Sequence, residues 1–521
     1  MQEYNLSFTE RLSGRFLNWL WENKVPFFSS LIFGLLAHMF VITNKLPNHD
    51  DVIYLFGKGA TVSSGRWGLE LLRHVIPDYS MPWLHGITSL ILLSVSICII
   101  VELFHLQSRL GQILLSALII SFPSQVGTFC YMYTSSSYAV AFLLCVLCVR
   151  EAAKESWKDW LVSALLFTLM LSIYQAYLSV ASSLMILLLI QELMTSDGET
   201  RFLPVLKRGL LFVAILLVGF EVYRLSITVS LALFGDSVNQ YSNEAKEMAP
   251  AFPGSILVVY RFFIFNLTSR YNMIIVSKTS RLIHFFCLGL AALGIVISQI
   301  RGKNLLNTLL LLFCLIILPL SICCLYMAFY WNTIHTLVLY SYFTLYLLAI
   351  LAVEQFPKPA LCVSRDLLYT ALAVVLGINI CFANRCYLKL FLEYENAYSL
   401  ATSLVTQIRS LPGYQPEDKV VLFPTAGEAL HFAPEFGSDE DAEHDLMGIQ
   451  SQLLTGYTEA DFISRYIGAE MNIADYRDAV HQITDRDWER MPVYPAEGSV
   501  KRVEDGLILV KFALPPEEQE P

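Results

Sequence analysis

Charge is scarce in this chain: 15% of its 521 residues are Asp, Glu, Lys or Arg, against 55% hydrophobic. Long charge-poor apolar runs recur to about residue 390, which excludes a set of soluble domains over that length and indicates a polytopic helical membrane protein. Past the last of these runs it is basic residues that are few. From residue 392 onward 25 Asp and Glu face 9 Lys and Arg, a net of −16; the whole chain carries −10, so residues 1–391 carry +6. An acidic tail of this kind argues against nucleic acid as a partner.

Cysteine is missing beyond Cys386, so the acidic segment has no disulfide framework. Cys145 and Cys148 have CxxC spacing but lie in one apolar run, with no second pair at zinc spacing; they read as small residues facing lipid or the bundle, and redox chemistry is not indicated. There is no Ser-His-Asp arrangement, no phosphate-binding glycine loop, no HExxH, no internal repeat and no low-complexity linker. Nor is a cleavable signal peptide evident, because Met1 to Lys24 carries charges and the first apolar run is long enough to stay as a span. His38, inside that run, reads as a hydrogen-bonded bundle residue.

What is present is a series of about eleven apolar segments of spanning length. They cover residues 26–44, 83–104, 108–126, 131–149, 157–174, 176–193, 209–233, 281–300, 304–327, 333–353 and 367–388. With the N-terminus cytoplasmic, Arg11, Arg15, Lys24, Arg109, Arg150, Lys154, Lys158, Arg201, Lys207, Arg208, Arg301, Lys303, Lys358 and Arg365 all fall inside. The opposite short loops around Pro123 to Thr134, Tyr174 to Tyr177 and Tyr330 to Thr333 have no Lys or Arg. This is a positive-inside pattern. An odd span count then places the segment after residue 391 outside, together with the loop at Asn48.

Two outside segments, 45–82 and 234–280, are too long for turns. The first holds Asn48-His49-Asp50-Asp51, then Gly65-Arg66-Trp67-Gly68. There Trp67, Gly68, Leu71, Leu72, Val75 and Ile76 share one helical face and Glu70, Arg73 and His74 the other, as in an interfacial helix. The second holds an apolar stretch, Ile256 to Leu267, interrupted by Arg261, which reads as re-entrant or interfacial. Residues 392–521 read as a small soluble α/β unit: a helix Glu395 to Ser410, a strand Lys419 to Phe423, helices near Glu459 to Tyr466 and Asp475 to Gln482, and a final strand at Leu507 to Val510.

The first loop carries the residue types that chemistry needs. Asp50 or Asp51, partly desolvated at the membrane face, is suited to take a proton from a hydroxyl; a divalent cation bridging phosphate oxygens is the alternative use. Taken alone the pair is a solvated loop feature. Arg66 reads either as a snorkelling anchor or as a bidentate phosphate ligand, with Gly65 and Gly68 allowing close backbone approach. Glu221 and Arg224 lie one helical turn apart in the seventh span, as an ion pair or a cavity lining. Three polar-aromatic clusters share the outside face: Tyr131, Tyr133, Ser135 and Ser136; Ser172, Tyr174, Gln175 and Tyr177; and Tyr330, Trp331, Asn332 and His335. Singly they are belt residues; together they suggest a shared lining.

Asn48 to Asp51, Gly65-Arg66-Trp67, Tyr174-Gln175 and the tail Met491-Pro492-Val493-Tyr494-Pro495 with Gly498-Ser499-Val500 resemble the bacterial Gtr glucosyltransferase family of O-antigen modification, within the GT-C superfamily. The resemblance implies an inner-membrane enzyme that moves a sugar, usually with inversion, from an undecaprenyl-phosphate carrier to a hydroxyl of a lipid-linked or surface glycan on the periplasmic face. It further implies Asp50 or Asp51 as catalytic base, and Arg66, Arg224, Arg261 or Arg270 as donor-phosphate ligands. Asn48, His49, Trp67, Tyr174, Gln175, Glu221, Asn332 and His335 would then line the substrate site. No nucleotide site is needed for a phosphate leaving group, no cofactor is fixed by the resemblance, and a divalent cation stays open. Two rival readings are a lipid-linked-glycan flippase, for which the paired halves of a transporter are missing, and a non-catalytic membrane partner, which leaves the Asp50 to Trp67 features unexplained.

Overall fold

The computed structural model describes residues 7–56, 59, 61–77, 79–196, 199–238, 254–268, 274–327, 336–429, 453–474 and 491–512. It opens on an amphipathic helix α1 (Phe8–Glu22), started by a Ser7–Glu10 capping box, and then runs through a helical bundle. The bundle comprises α2 (Lys24–Thr43), α3 (His49–Ile53), α4 (Trp67–Leu72), α5 (Pro82–Leu103), α6 (Arg109–Ile120), α7 (Pro123–Cys130), α8 (Met132–Ala152), α9 (Trp157–Ile173), α10 (Leu178–Met194), α11 (Phe202–Phe234), α12 (Gly254–Thr268), α13 (Lys278–Gly302), α14 (Leu305–Ile322), α15 (Thr344–Val353) and α16 (Lys358–Arg409). Among the described residues nine helices are long and apolar enough to cross a membrane, or ten if α6 and α7 form one span bent by 43°. The protein is therefore a multi-pass membrane protein.

Among the eleven expected segments one is divided, one is short for a span and one runs on past its expected end. The stretch 108–126 is divided into α6 and α7, because Pro123 cannot extend the ladder of the preceding helix. The segment at 157–174 is a helix of 17 residues, about 25 Å long at 1.5 Å per residue. The last span and the helix expected at Glu395 are one continuous 52-residue element, α16. At about 78 Å, it carries the chain out of the bundle with no linker, so the boundary at residues 391 and 392 falls within a helix.

Fully buried side chains from α5, α6, α8 and α10 form the bundle centre, among them Ile97, Leu118, Phe142 and Leu184. Exposed apolar residues line the outer helices, such as Leu210, Leu217 and Leu225 on α11 and Leu309 and Ile316 on α14, as a lipid-facing surface requires. His38 is satisfied as expected: its Nε2–H donates to the Ile120 carbonyl at 2.9 Å and its Nδ1 lies 2.7 Å from the Tyr387 hydroxyl. Cys145 and Cys148 are buried free thiols, contacting the Tyr177 carbonyl and Ser163 respectively, and so face the bundle.

One close approach is testable. Gly294 of α13 sits against α15 so tightly that an added Cβ would meet the Ala352 carbonyl, whereas a Cβ on Gly289 meets nothing within 4 Å. Gly294→Ala is expected to cost about 1–3 kcal/mol by overpacking, read as a lower melting temperature of the purified protein. Gly289→Ala should be neutral or slightly stabilising, and equal melting points for the two would contradict this packing.

Beyond α16 lies a four-stranded sheet in the order β2-β1-β4-β3. Its strands are β1 (Lys419–Phe423), β2 (Asn472–Ala474), β3 (Val500–Glu504) and β4 (Leu507–Lys511). β1 pairs in parallel with β2 and with β4, Lys419 opposite Asn472 and Leu507, while β3 and β4 form an antiparallel hairpin. Every β4 residue is buried, because one face packs on α16 through Ala401, Leu404 and Ile408 and the other on Met491. The helix α17 (Glu459–Arg465) lies in the expected place, and the stretch Asp475 to Gln482 falls outside the described residues.

Candidate functional site

The loop joining α2 to α5 is pinned at its first turn by Asn48, whose side chain does three jobs. Its Oδ1 accepts from the Asp51 N–H at 2.9 Å, its Nδ2 donates to the Cys130 carbonyl at 2.8 Å, and its position starts α3 with a capping box. Asp51 is consumed by this arrangement: it is wholly buried, and its N-cap contacts fix the turn. Burial pushes its carboxyl pKa up, opposed chiefly by the charge of Lys45, whose Nζ donates to Ser80 at 2.8 Å.

Asp50 is the more open of the two carboxylates. Its side chain is one-third exposed and lies 3.5 Å from His49 Nε2. Burial also raises its pKa, with the charges of His49 and Arg66 pulling the other way. Aromatic rings close around the pair. His49 meets Tyr131 edge-on at 6.2 Å and Tyr457 at 6.1 Å, and Tyr54 packs on Tyr133 at 5.7 Å. The Tyr54 and Tyr457 hydroxyls are pushed up in pKa by burial first and by the Asp50 charge second.

Arg66 is held rigidly. Gly65 takes a left-handed φ of 74°, which turns the chain so that the Arg66 guanidinium enters the bundle. There Nη1 donates to the Tyr138 hydroxyl at 3.1 Å, Nε to Gln175 Oε1 at 3.4 Å, and the group lies 5.6 Å from the Tyr174 ring centre. Gln175 is fixed in turn, donating to the Ser64 carbonyl at 3.1 Å and to the Tyr223 hydroxyl at 2.8 Å. Tyr174 stacks on Tyr138 at 4.0 Å. Such a network pre-organises a cation for an anionic ligand. Trp67 points elsewhere, donating to Ser226 of α11 at 2.9 Å, so it anchors the loop rather than lining the site. Gly65 and Gly68 serve the same anchoring: a Cβ at either would collide with Tyr223 or Ser172 respectively.

Arg66 opens on a small cleft, lined also by Thr61, Arg73, Tyr133, Thr134 and Ser137. Arg73 is a lining residue that the helical-face pattern assigned only to a polar outer surface. In the structure α4 ends at Leu72. Arg73 and Glu70 form a 2.9 Å ion pair that is mostly enclosed, and Thr61 donates to Glu70 at 2.7 Å. Leu71 and Val75 are exposed instead. Glu70 and Arg73 of the polar face thus turn to the cleft, while Leu71 and Val75 face out. For an interfacial helix that is the expected polarity, and it was the only available signal for Arg73.

Other candidates lie apart. Glu221 and Arg224 pair with each other at 2.8 Å on α11 with both side chains more than half exposed. They line no cleft with Arg66, which corrects the cavity reading: the helix turns Tyr223, not this pair, towards Gln175. Arg261 is exposed on α12. Arg270, Asn332 and His335, with the third polar-aromatic cluster, lie outside the described residues. Ser136 of the first cluster is engaged within the bundle, 2.7 Å from His85 Nδ1. Among the described residues no three His, Cys, Asp or Glu side chains gather as a cation would need.

No curated protein and no solved structure matches the chain. A family model described as glucosyl transferase GtrII does match, over residues 39–353. That segment is more than half of the chain and contains the acidic turn, Arg66, Gln175 and the cleft. The protein thus belongs to the GtrII glucosyl transferase family.

Proposed function

We propose that the protein transfers glucose from an undecaprenyl-phosphate carrier to a hydroxyl of a lipid-linked or surface glycan such as O-antigen, with inversion, at the periplasmic face of a bacterial inner membrane. The observation that carries this reading is the Arg66 guanidinium, held by Tyr138 and Gln175 on a cleft that a second arginine also lines, in the same loop as Asp50. In the proposed step Asp50 takes the proton of the acceptor hydroxyl. The acceptor oxygen forms its bond to the glucose anomeric carbon as the bond from that carbon to the phosphate oxygen breaks. The electron pair leaves with the carrier phosphate, whose charge Arg66 stabilises, with Arg73 lining the same cleft.

A phosphate leaving group needs no nucleotide pocket, which agrees with the missing glycine-rich loop. The positive-inside pattern supports a cytoplasmic N-terminus and an extracytoplasmic loop and C-terminal unit. Purified protein should transfer labelled glucose from undecaprenyl-phosphate glucose to membrane glycolipid. Because burial raises the Asp50 pKa, the base ionises only above the ordinary carboxylate value of about 4. The rate should therefore fall with acidification through a limb displaced upward from that value. A profile flat down to about pH 4 would remove Asp50 from the base role.

A further inference from the structure

Residues beyond 353 lie outside the segment that the family model matches, yet they are built into the acidic turn. Val52 of α3 is wholly buried and belongs to the apolar cluster of the C-terminal unit, with Leu404, Leu454 and Phe462, rather than to the bundle core. Arg465, the last residue of α17, sends Nη1 to the carbonyls of Val52, at 3.2 Å, and Ile53. Its Nη2 is held 2.9 Å from Asp461 one turn back. Tyr457 and Tyr466 of the same unit reach the loop as well, the first against His49 and the second 5.9 Å from Lys45 Nζ.

A helix of five residues cannot sustain itself, since fixing a single turn costs more than its hydrogen bonds return. Both of its ends need outside partners. The Asn48 side chain supplies the first, and the guanidinium of Arg465 supplies the second. Between these two supports sits Asp50. A carboxylate that must meet a hydroxyl proton at hydrogen-bond distance is sensitive to displacement of the turn that carries it, and a shift of about 1 Å can cost a hundredfold in rate.

We propose that Arg465 is a positioning residue for glucosyl transfer, locking the last carbonyls of α3 so that the C-terminal unit is a working part of the site. The proposal rests on Asp50 being the base. Its test uses the full-length purified protein as Arg465→Met, which keeps the apolar stem, and Arg465→Lys, which keeps a cationic donor. Amide hydrogen exchange over residues 50–54 should quicken at least about tenfold in the Met variant and return towards wild type with Lys. Transfer from undecaprenyl-phosphate glucose to membrane glycolipid should lose about tenfold or more in kcat at unchanged donor KM, with recovery in the Lys variant.

Unchanged exchange in Arg465→Met overturns the proposal. So does a quickened turn with undiminished kcat, or a loss expressed wholly in donor KM. If wild-type protein turns over none of this donor, the carrier reading fails separately, and the exchange measurement still decides whether Arg465 holds the turn.

Discussion

Asp50→Asn protein that inserts and folds should lose about a hundred- to ten-thousand-fold in glucosyl transfer, the contribution usual for a positioned general base. The amide is nearly the size of the carboxyl, so the packing against His49 survives, but it accepts no proton. Asp51→Asn should behave differently. Asp51 is enclosed and its charge offsets that of half-buried Lys45. Its loss removes that offset, so the main effect should be a lower melting temperature rather than a lower rate. Melting curves and single-turnover rates of the two proteins separate these roles. Full activity in both would sink the assignment of the base to this turn.

Arg66→Ala should cost about a hundred- to thousand-fold in kcat/KM for the donor, as removal of one strong donor to a developing anion does. Arg66→Lys keeps the charge but loses the planar fork that Tyr138 and Gln175 orient, so it should recover only part of the rate. A second readout goes with it. Because the Arg66 charge holds the Asp50 pKa down, its removal should move the acid limb of the pH profile further upward. An Arg66→Ala protein with unchanged donor kinetics and an unmoved limb would show that the phosphate sits elsewhere.

Much of this site was legible because its parts are rare in such a sequence. In a chain that is 15% charged, two carboxylates and an arginine beside a span stand out. Tyr174-Gln175 was visible as a polar break between apolar runs, and the structure joins it to Arg66. Glu221 and Arg224 misled because an apolar helix gives no periodic sign of which face meets lipid. Helix polarity put Arg73 on the polar face of its segment, but nothing local showed that this face meets a cleft. Arg465 was the least legible of all: it lies about 400 positions from the carbonyls it holds, and no local pattern encodes that distance. The sheet at the end of the chain was visible as two apolar strands, but not their parallel pairing, which joins strands far apart in the chain.

The most direct measurement of the central claim is a cryo-electron microscopy map of the protein with undecaprenyl-phosphate glucose bound. The phosphate should lie within hydrogen-bond distance of Arg66, with the anomeric carbon turned towards Asp50 and the cleft at Thr61 and Ser137 occupied. Density for the phosphate on the exposed face of α11, at Glu221 and Arg224, or anywhere that leaves the Asp50 turn out of reach, would contradict it.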